Sequence, residues 1–334
     1  MFKKLNQIKN WLLVIFVLIA LLSVLSLGHT PGKSELEYGV TFSKKEAEDL
    51  KLDWQKLYLA MLDDLNVRKL RLAAYWDEVE VADEQYKWQD LDWQVEQASN
   101  RQAKIILAIG ERLPRWPECH IPAWSNNLTK EQQQLKLLGY IRQTVSRYKN
   151  QTQIQAWQIE NEPFLGHFGE CPVLDADFLD QEIALTKSLD SRPVVVTDSG
   201  ELSFWYQAAS RADIFGTTMY RDTFSSFLNS YVHYPITASF FKLKKNLVGF
   251  FAKPKKWVVI ELQAEPWAPV PFQEITQAER DRTMSLDKFK TIIDFSSQTG
   301  FREFYLWGVE WWYWEKTVNN RPEFWELARG LFSR

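Results

Sequence analysis

Eight short apolar segments, each followed by a stretch of helical character, constrain this chain more than any other feature. They occupy 38–42 (YGVTF), 67–75 (VRKLRLAAY), 104–110 (KIILAIG), 154–160 (IQAWQIE), 193–198 (PVVVTD), 213–220 (DIFGTTMY), 256–262 (KWVVIEL) and 303–309 (EFYLWGV). Several are apolar on both faces, as parallel strands are when buried between helices and a filled interior. Between them, EQQQLKLLGYIRQTVSRYK repeats Leu135, Leu138, Ile141, Val145 and Tyr148 at helical spacing. QAERDRTMSLDKFKTIIDFSSQ does the same with Phe289, Ile292 and Ile293, then stops near Gly300. This alternation predicts an α/β fold, a (β/α)8 TIM barrel over 38–334. A doubly wound open sheet would want a Gly-rich phosphate loop after its first strand, and TFSKKEAED has none. The irregular stretch 221–255 reads as an inserted loop or distorted helix, and its KLKK run (242–245) as a solvated face.

The first residues are a different polymer. Lys3, Lys4 and Lys9 precede WLLVIFVLIALLSVLSLG, residues 11–28, which holds no charge. At ~1.5 Å per residue such a run reaches about 27 Å, close to the hydrocarbon thickness of a bilayer. Residues 1–28 are therefore expected to be a transmembrane or signal helix, with the lysines cytoplasmic and 29–37 a polar linker. Ser26-Leu27-Gly28 offers a cleavage site as the alternative to a retained anchor. Either way the barrel lies outside the cytoplasm, tethered to the membrane or secreted. Net charge is −3 and no long basic run follows the N-terminus, which argues against nucleic acid as a partner. Cys119 (PRWPECHIP) and Cys171 (HFGECPV) invite a disulfide in an exported chain. Free thiols are the alternative, and a zinc site with His120 and His167 lacks the usual ligand spacing.

In a barrel only the C-terminal strand ends surround an open mouth, so chemistry belongs there. The second strand brings Arg71, with Trp76 just beyond, and the third reaches Glu111. The fourth ends in Asn161-Glu162 and Pro163, the sixth in Tyr220, the seventh in Glu261 and the eighth in Trp307. Acids, one Arg and aromatics are costly to bury unless they serve a site. Two glutamates facing each other about 5–5.5 Å apart are what retaining glycoside hydrolysis requires, where one attacks and the other protonates. Glu160 is expected on the same strand face as Glu162, one pleat deeper, in a structural hydrogen bond or salt bridge. Glu265, four residues into the seventh loop, is the weaker rival to Glu261.

NEP at the fourth strand end, an Arg closing the second strand, IEL at the seventh and a Trp on the eighth resemble the clan A glycoside hydrolases. These are (β/α)8 retaining enzymes that include the cellulase and mannanase group. The resemblance implies that Glu162 is the acid/base, Glu261 the nucleophile, Asn161 a ligand of the sugar 2-hydroxyl, Tyr220 a contact of the nucleophile and Trp307 the floor of a sugar subsite. It departs from the family pattern at Thr218, where many members have histidine, and at Gln158, where a carboxylate is usual.

WGVEWWYW, residues 307–314, puts five aromatics in eight positions, and flat rings suit the apolar faces of sugars. Trp311 in this run, Trp76, Trp116 and Trp267 are thus expected to line the substrate path. The expected activity is double-displacement hydrolysis of a β-linked oligosaccharide or polysaccharide, with no metal or organic cofactor. A transglycosylase using the same acids and an inactive carbohydrate-binding barrel are the alternatives.

Overall fold

The computed structural model describes residues 11, 30–166, 169–171 and 175–332. Eight parallel strands close into one barrel in chain order. They are β1 (Glu37–Thr41), β2 (Lys69–Ala73), β3 (Lys104–Ile109), β4 (Ile154–Ile159), β5 (Val194–Asp198), β6 (Ile214–Met219), β7 (Lys256–Gln263) and β8 (Glu303–Trp307). The closing pair is β8 against β1, in register from Glu37 opposite Glu303 to Thr41 opposite Trp307. A small interior cluster of Ile106, Ala156, Val195, Val258, Ile260 and Tyr305 fills the barrel. A much larger apolar layer lies between the strands and the surrounding helices. These two layers explain strands that are apolar on both faces.

Helix starts follow local chemistry. Thr129 caps Lys130–Tyr148 through a reciprocal box with Gln132, and Asp53, Asp175 and Thr237 cap theirs with side-chain oxygens. Helix Lys130–Tyr148 buries Leu137, Tyr140, Ile141, Thr144, Val145 and Tyr148, whereas Leu135, expected inside, is exposed. The stretch read as one helix over 277–298 is two, Gln277–Thr283 and Leu286–Ser297. Ser285 breaks it by accepting the Lys288 N–H as an N-cap, with Met284 extended.

Residues 221–255 are ordered rather than looped. Asp222–Ser225 pairs antiparallel with Ser230–His233, and helix Ala238–Phe251 follows. The KLKK run is not simply solvated: Lys244 and Lys245 turn inward, donating to the carbonyls of Gly200 and Gly300. Of the segment 1–28, only Trp11 is among the described residues, so the membrane-helix expectation lies outside them. Among the described residues no helix is long and apolar enough to cross a membrane.

Candidate active site

Two local backbone features aim the glutamates. On β7 the register slips between Val259 and Glu261 against β6, a bulge that adds one residue to the strand. Val258 and Ile260 point into the barrel, so strict alternation would send Glu261 to the helix side. The bulge re-aims it toward the mouth. At the end of β4, Glu160 and Glu162 both take left-handed φ values, 57° and 45°. Non-glycine residues adopt this conformation at a cost, and such strain concentrates where side-chain direction matters.

The result is a connected set of side chains. Arg71, fully buried on β2, donates Nη1 to Glu261 Oε1 at 2.7 Å, Nη2 to Asn161 Oδ1 at 2.7 Å and Nε to Gln158 Oε1 at 2.8 Å. The Tyr220 hydroxyl donates to Glu261 Oε2 at 2.8 Å. Burial and then the Glu261 charge hold the Tyr220 hydroxyl well above its ordinary pKa, so it keeps its proton. Both oxygens of Glu261 are thus held by donors, one of them cationic, which is how a carboxylate is stabilised as the anion.

Glu162 sits in the opposite environment. Its backbone N–H donates to Thr197 Oγ1 at 2.8 Å, but among the described residues nothing donates to its carboxyl. Burial, then the charges of Glu261, Glu118 and Asp198, hold Glu162 well above the usual carboxylate range, with Arg112 opposing. Adjacent acids with environments this different divide into a proton carrier and an anion. Only 6% of Glu162 and 5% of Glu261 is exposed, so both are nearly buried.

Glu118 went unrecognised in the sequence. It lies in the loop after β3, accepts Asn161 Nδ2 at 3.1 Å, and is pushed up to about 8 by burial and then by the Glu261 charge. The amide expected to meet a sugar hydroxyl is therefore shared between Glu118 and Arg71. The nearest signal was position: Glu118 directly precedes Cys119, which is disulfide-bonded to Cys171, with Cα atoms 5.3 Å apart.

The same loop carries Arg115, whose guanidinium bonds Glu265 and Glu310, lies 3.6 Å from Glu46 and covers the Trp307 ring at 4.1 Å from its centroid. Glu265 is thereby committed to an ion pair, and one face of the expected sugar platform is occupied by Arg115. Trp267 packs edge-on to Tyr220, ring centroids 5.0 Å apart, and is half-buried at the rim, while Trp116 is exposed on the loop after β3.

Two expectations fail. Trp76 is fully buried, donating Nε1 to Glu80 and stacking on Tyr140. Trp311 is fully buried against Phe324 and Phe272. Both rings fill the layer beneath the helices and do not reach the mouth. Glu160 also faces away from the site. Its carboxylate accepts the N–H groups of Glu111 and Arg112 and contacts Glu182 on helix Ala176–Leu189, because the positive φ at Glu160 turns it off the face that holds Glu162. Among the described residues no group of three or more His, Cys, Asp or Glu converges as a metal site, and His167 lies outside them.

Solved structures share this architecture at low sequence identity. Native xylanase 10B from Thermotoga maritima matches with TM-score 0.56 and 15% identity, over 82% of this chain and 83% of that one. The exo-β-1,4-mannosidase Op5Man5 from Opitutaceae bacterium strain TAV5 matches at 0.58 and 12%, over 88% of this chain and 59% of that one. A β-galactosidase from the Antarctic haloarchaeon Halorubrum lacusprofundi matches at 0.55 and 13%, over 81% and 52%. The similarity shows the fold, a (β/α)8 barrel. No protein-family model and no curated protein matches the chain.

Proposed function

We propose that this chain is a retaining β-glycoside hydrolase acting on β-linked oligosaccharides or polysaccharides. One observation carries the reading: the two oxygens of Glu261 accept from Arg71 and Tyr220, while burial and neighbouring charges bias the Glu162 carboxyl toward the protonated form. In the first step a Glu261 oxygen bonds to the anomeric carbon as the glycosidic C–O bond breaks. The Glu162 proton passes to the departing oxygen. In the second, the Glu162 carboxylate takes a proton from water, whose oxygen displaces Glu261 from the anomeric carbon. In this reading Asn161, which Arg71 and Glu118 hold in place, contacts the sugar 2-hydroxyl, and Trp267 packs on the ring.

Gln158 supports this reading. A neutral amide at that position leaves Glu261 as the carboxylate paired with Arg71, so the guanidinium charge is directed at the nucleophile. The barrel is further proposed to act outside the cytoplasm, delivered by residues 1–28. A disulfide between Cys119 and Cys171 suits an oxidising compartment.

The test is a panel of β-linked glucans, mannans and xylans scored for new reducing ends with wild type and Glu261→Gln. Wild type should release them and the variant should not, while still binding the glycan. A wild type that binds and never cleaves would make the barrel a carbohydrate-binding protein instead. Glu162→Ala should lose about 10²–10⁴-fold on these glycans, yet keep the first step for an aryl glycoside whose leaving group needs no proton. Equal losses on both substrates would remove Glu162 from the acid role.

A further inference from the structure

Helix Ala238–Phe251, which follows β6, is apolar on two sides. Its inner side buries Phe241 and Val248 against the barrel. Its outer side carries Phe240, Leu243, Leu247, Phe250 and Phe251, spaced i, i+3, i+7, i+10 and i+11, so they form one stripe. Phe250 is 72% and Phe251 64% exposed. The neighbouring helix Tyr206–Ala209 packs beside it, and the turn leading into that helix exposes 92% of Phe204. Water-facing phenylalanines this concentrated mark a surface that meets something apolar.

The charge around the stripe states what that is. Residues 223–260 contain six lysines and no Asp or Glu, in a chain whose net charge is −3. Lys244 and Lys245 turn inward. Lys253, Lys255 and Lys256 are exposed just past the helix end, with Lys255 and Lys256 also reaching Asp213 and Glu303. A cavity of about 630 Å³ at the foot of the barrel adjoins this surface and is mixed in charge, with Lys242, Lys245, Lys256 and Arg302 facing Glu35, Glu37 and Glu303. The chain reaches the barrel at the same place: Lys242 Nζ donates to Thr30 Oγ1 at 2.5 Å, and residues 11–28 just before it are uncharged.

We propose that the outer face of helix Ala238–Phe251 rests on an anionic lipid bilayer, its phenylalanines at the acyl boundary and the adjoining lysines among the headgroups. An amphipathic helix with basic flanks binds membranes through both terms, apolar area and charge. A second copy of the chain fits less well, because a two-fold contact through this stripe would bring the same lysines together. The inference does not depend on the hydrolase reading.

The experiment uses the full chain in vesicles. With its two cysteines joined in a disulfide, Phe251→Cys provides one site for an environment-sensitive label. Leu135→Cys, on the exposed side of the helix after β3, provides the control. In phosphatidylcholine/phosphatidylglycerol vesicles carrying a lipid-borne quencher, position 251 should be quenched and position 135 should not. The quenching at 251 should disappear in Lys253→Glu/Lys255→Glu and weaken in high salt. Equal quenching at both positions, or none at 251, overturns the proposal. So does a lipid-free dimer that shields the 251 label, since the stripe would then belong to a second copy.

Discussion

At the scale of single residues, the site separates two glutamates by what surrounds them. Glu261 has a donor on each oxygen, and Tyr220 supplies one of them. Tyr220→Phe removes a hydrogen bond to a charged acceptor, worth about 1.5–3 kcal/mol. The expected result is a fall in kcat/KM of about ten- to hundredfold with little change in thermal stability, read from steady-state kinetics beside a melting curve. Glu162 must carry a proton to work as an acid, and its pKa is held well above the usual range. Activity on unactivated glycans should therefore persist through neutral pH and fall as pH rises through that raised value. An aryl glycoside with a good leaving group should not show this alkaline limb in its first step. If both substrates give the same limb, it belongs to another group.

At the scale of elements, the loop after β3 is held to β4 by a buried acid pair. Glu182 finds no donor among the described residues and touches the Glu160 carboxylate, so Glu182 keeps the proton and donates it. Glu160 then accepts from three directions, two of them the N–H groups of Glu111 and Arg112. Glu160→Gln places an amide NH₂ among donors and should cost about 1–3 kcal/mol, whereas Glu182→Gln keeps a neutral donor and should cost much less. Denaturant melts of both variants decide this, and equal losses would remove the shared proton. Gly110 is required beside this pair, since its φ is +140° and a Cβ there would lie 2.2 Å from Glu160 Oε1.

Strand order, the barrel and the strand-end positions of Asn161, Glu162, Tyr220 and Glu261 were legible in the sequence, because alternation and strand length depend on local composition, whereas Arg71, read as closing its strand, lies at the middle of β2. The bulge before Glu261 and the left-handed turn at Glu160 were not, since both are backbone choices settled by neighbouring strands. Nor could Trp76 and Trp311 be separated from Trp267 by residue type. An aromatic ring is equally at home under a helix and at a rim, and only tertiary packing decides. Glu118 was hidden for a similar reason, as its role depends on where a loop crosses.

At the scale of the molecule, stability should depend on pH through its many buried acids. Burial pushes Glu46, Glu111, Glu201 and Glu310 up to about 7, and Glu118 up to about 8. A carboxyl whose pKa is raised by folding contributes stability that is complete below its unfolded value near 4.5 and is lost as pH rises through the folded value. The opposite cases, Asp64 and Glu303 lowered to about 2, titrate below this window. Calorimetry should show Tm falling steadily from about pH 5 to about pH 8, and a flat profile would mean these acids are hydrated. The Cys119–Cys171 bond closes a separation of 52 residues, so Cys119→Ser/Cys171→Ser should lower stability by about 2–4 kcal/mol in urea melts.

The Arg115 loop also has a directional consequence. Tyr75 beyond β2 bonds the Pro114 carbonyl, and Arg115 itself engages Glu46 beyond β1, Glu310 beyond β8 and Glu265 beyond β7. The rim from β7 through β8 and β1 to β2 is crossed by a strap pinned at several points, while Tyr220 and Trp267 keep partial contact with water. On the proposed hydrolase reading, the strap therefore closes the Arg115 side to a saccharide and leaves the Tyr220 and Trp267 flank as its approach.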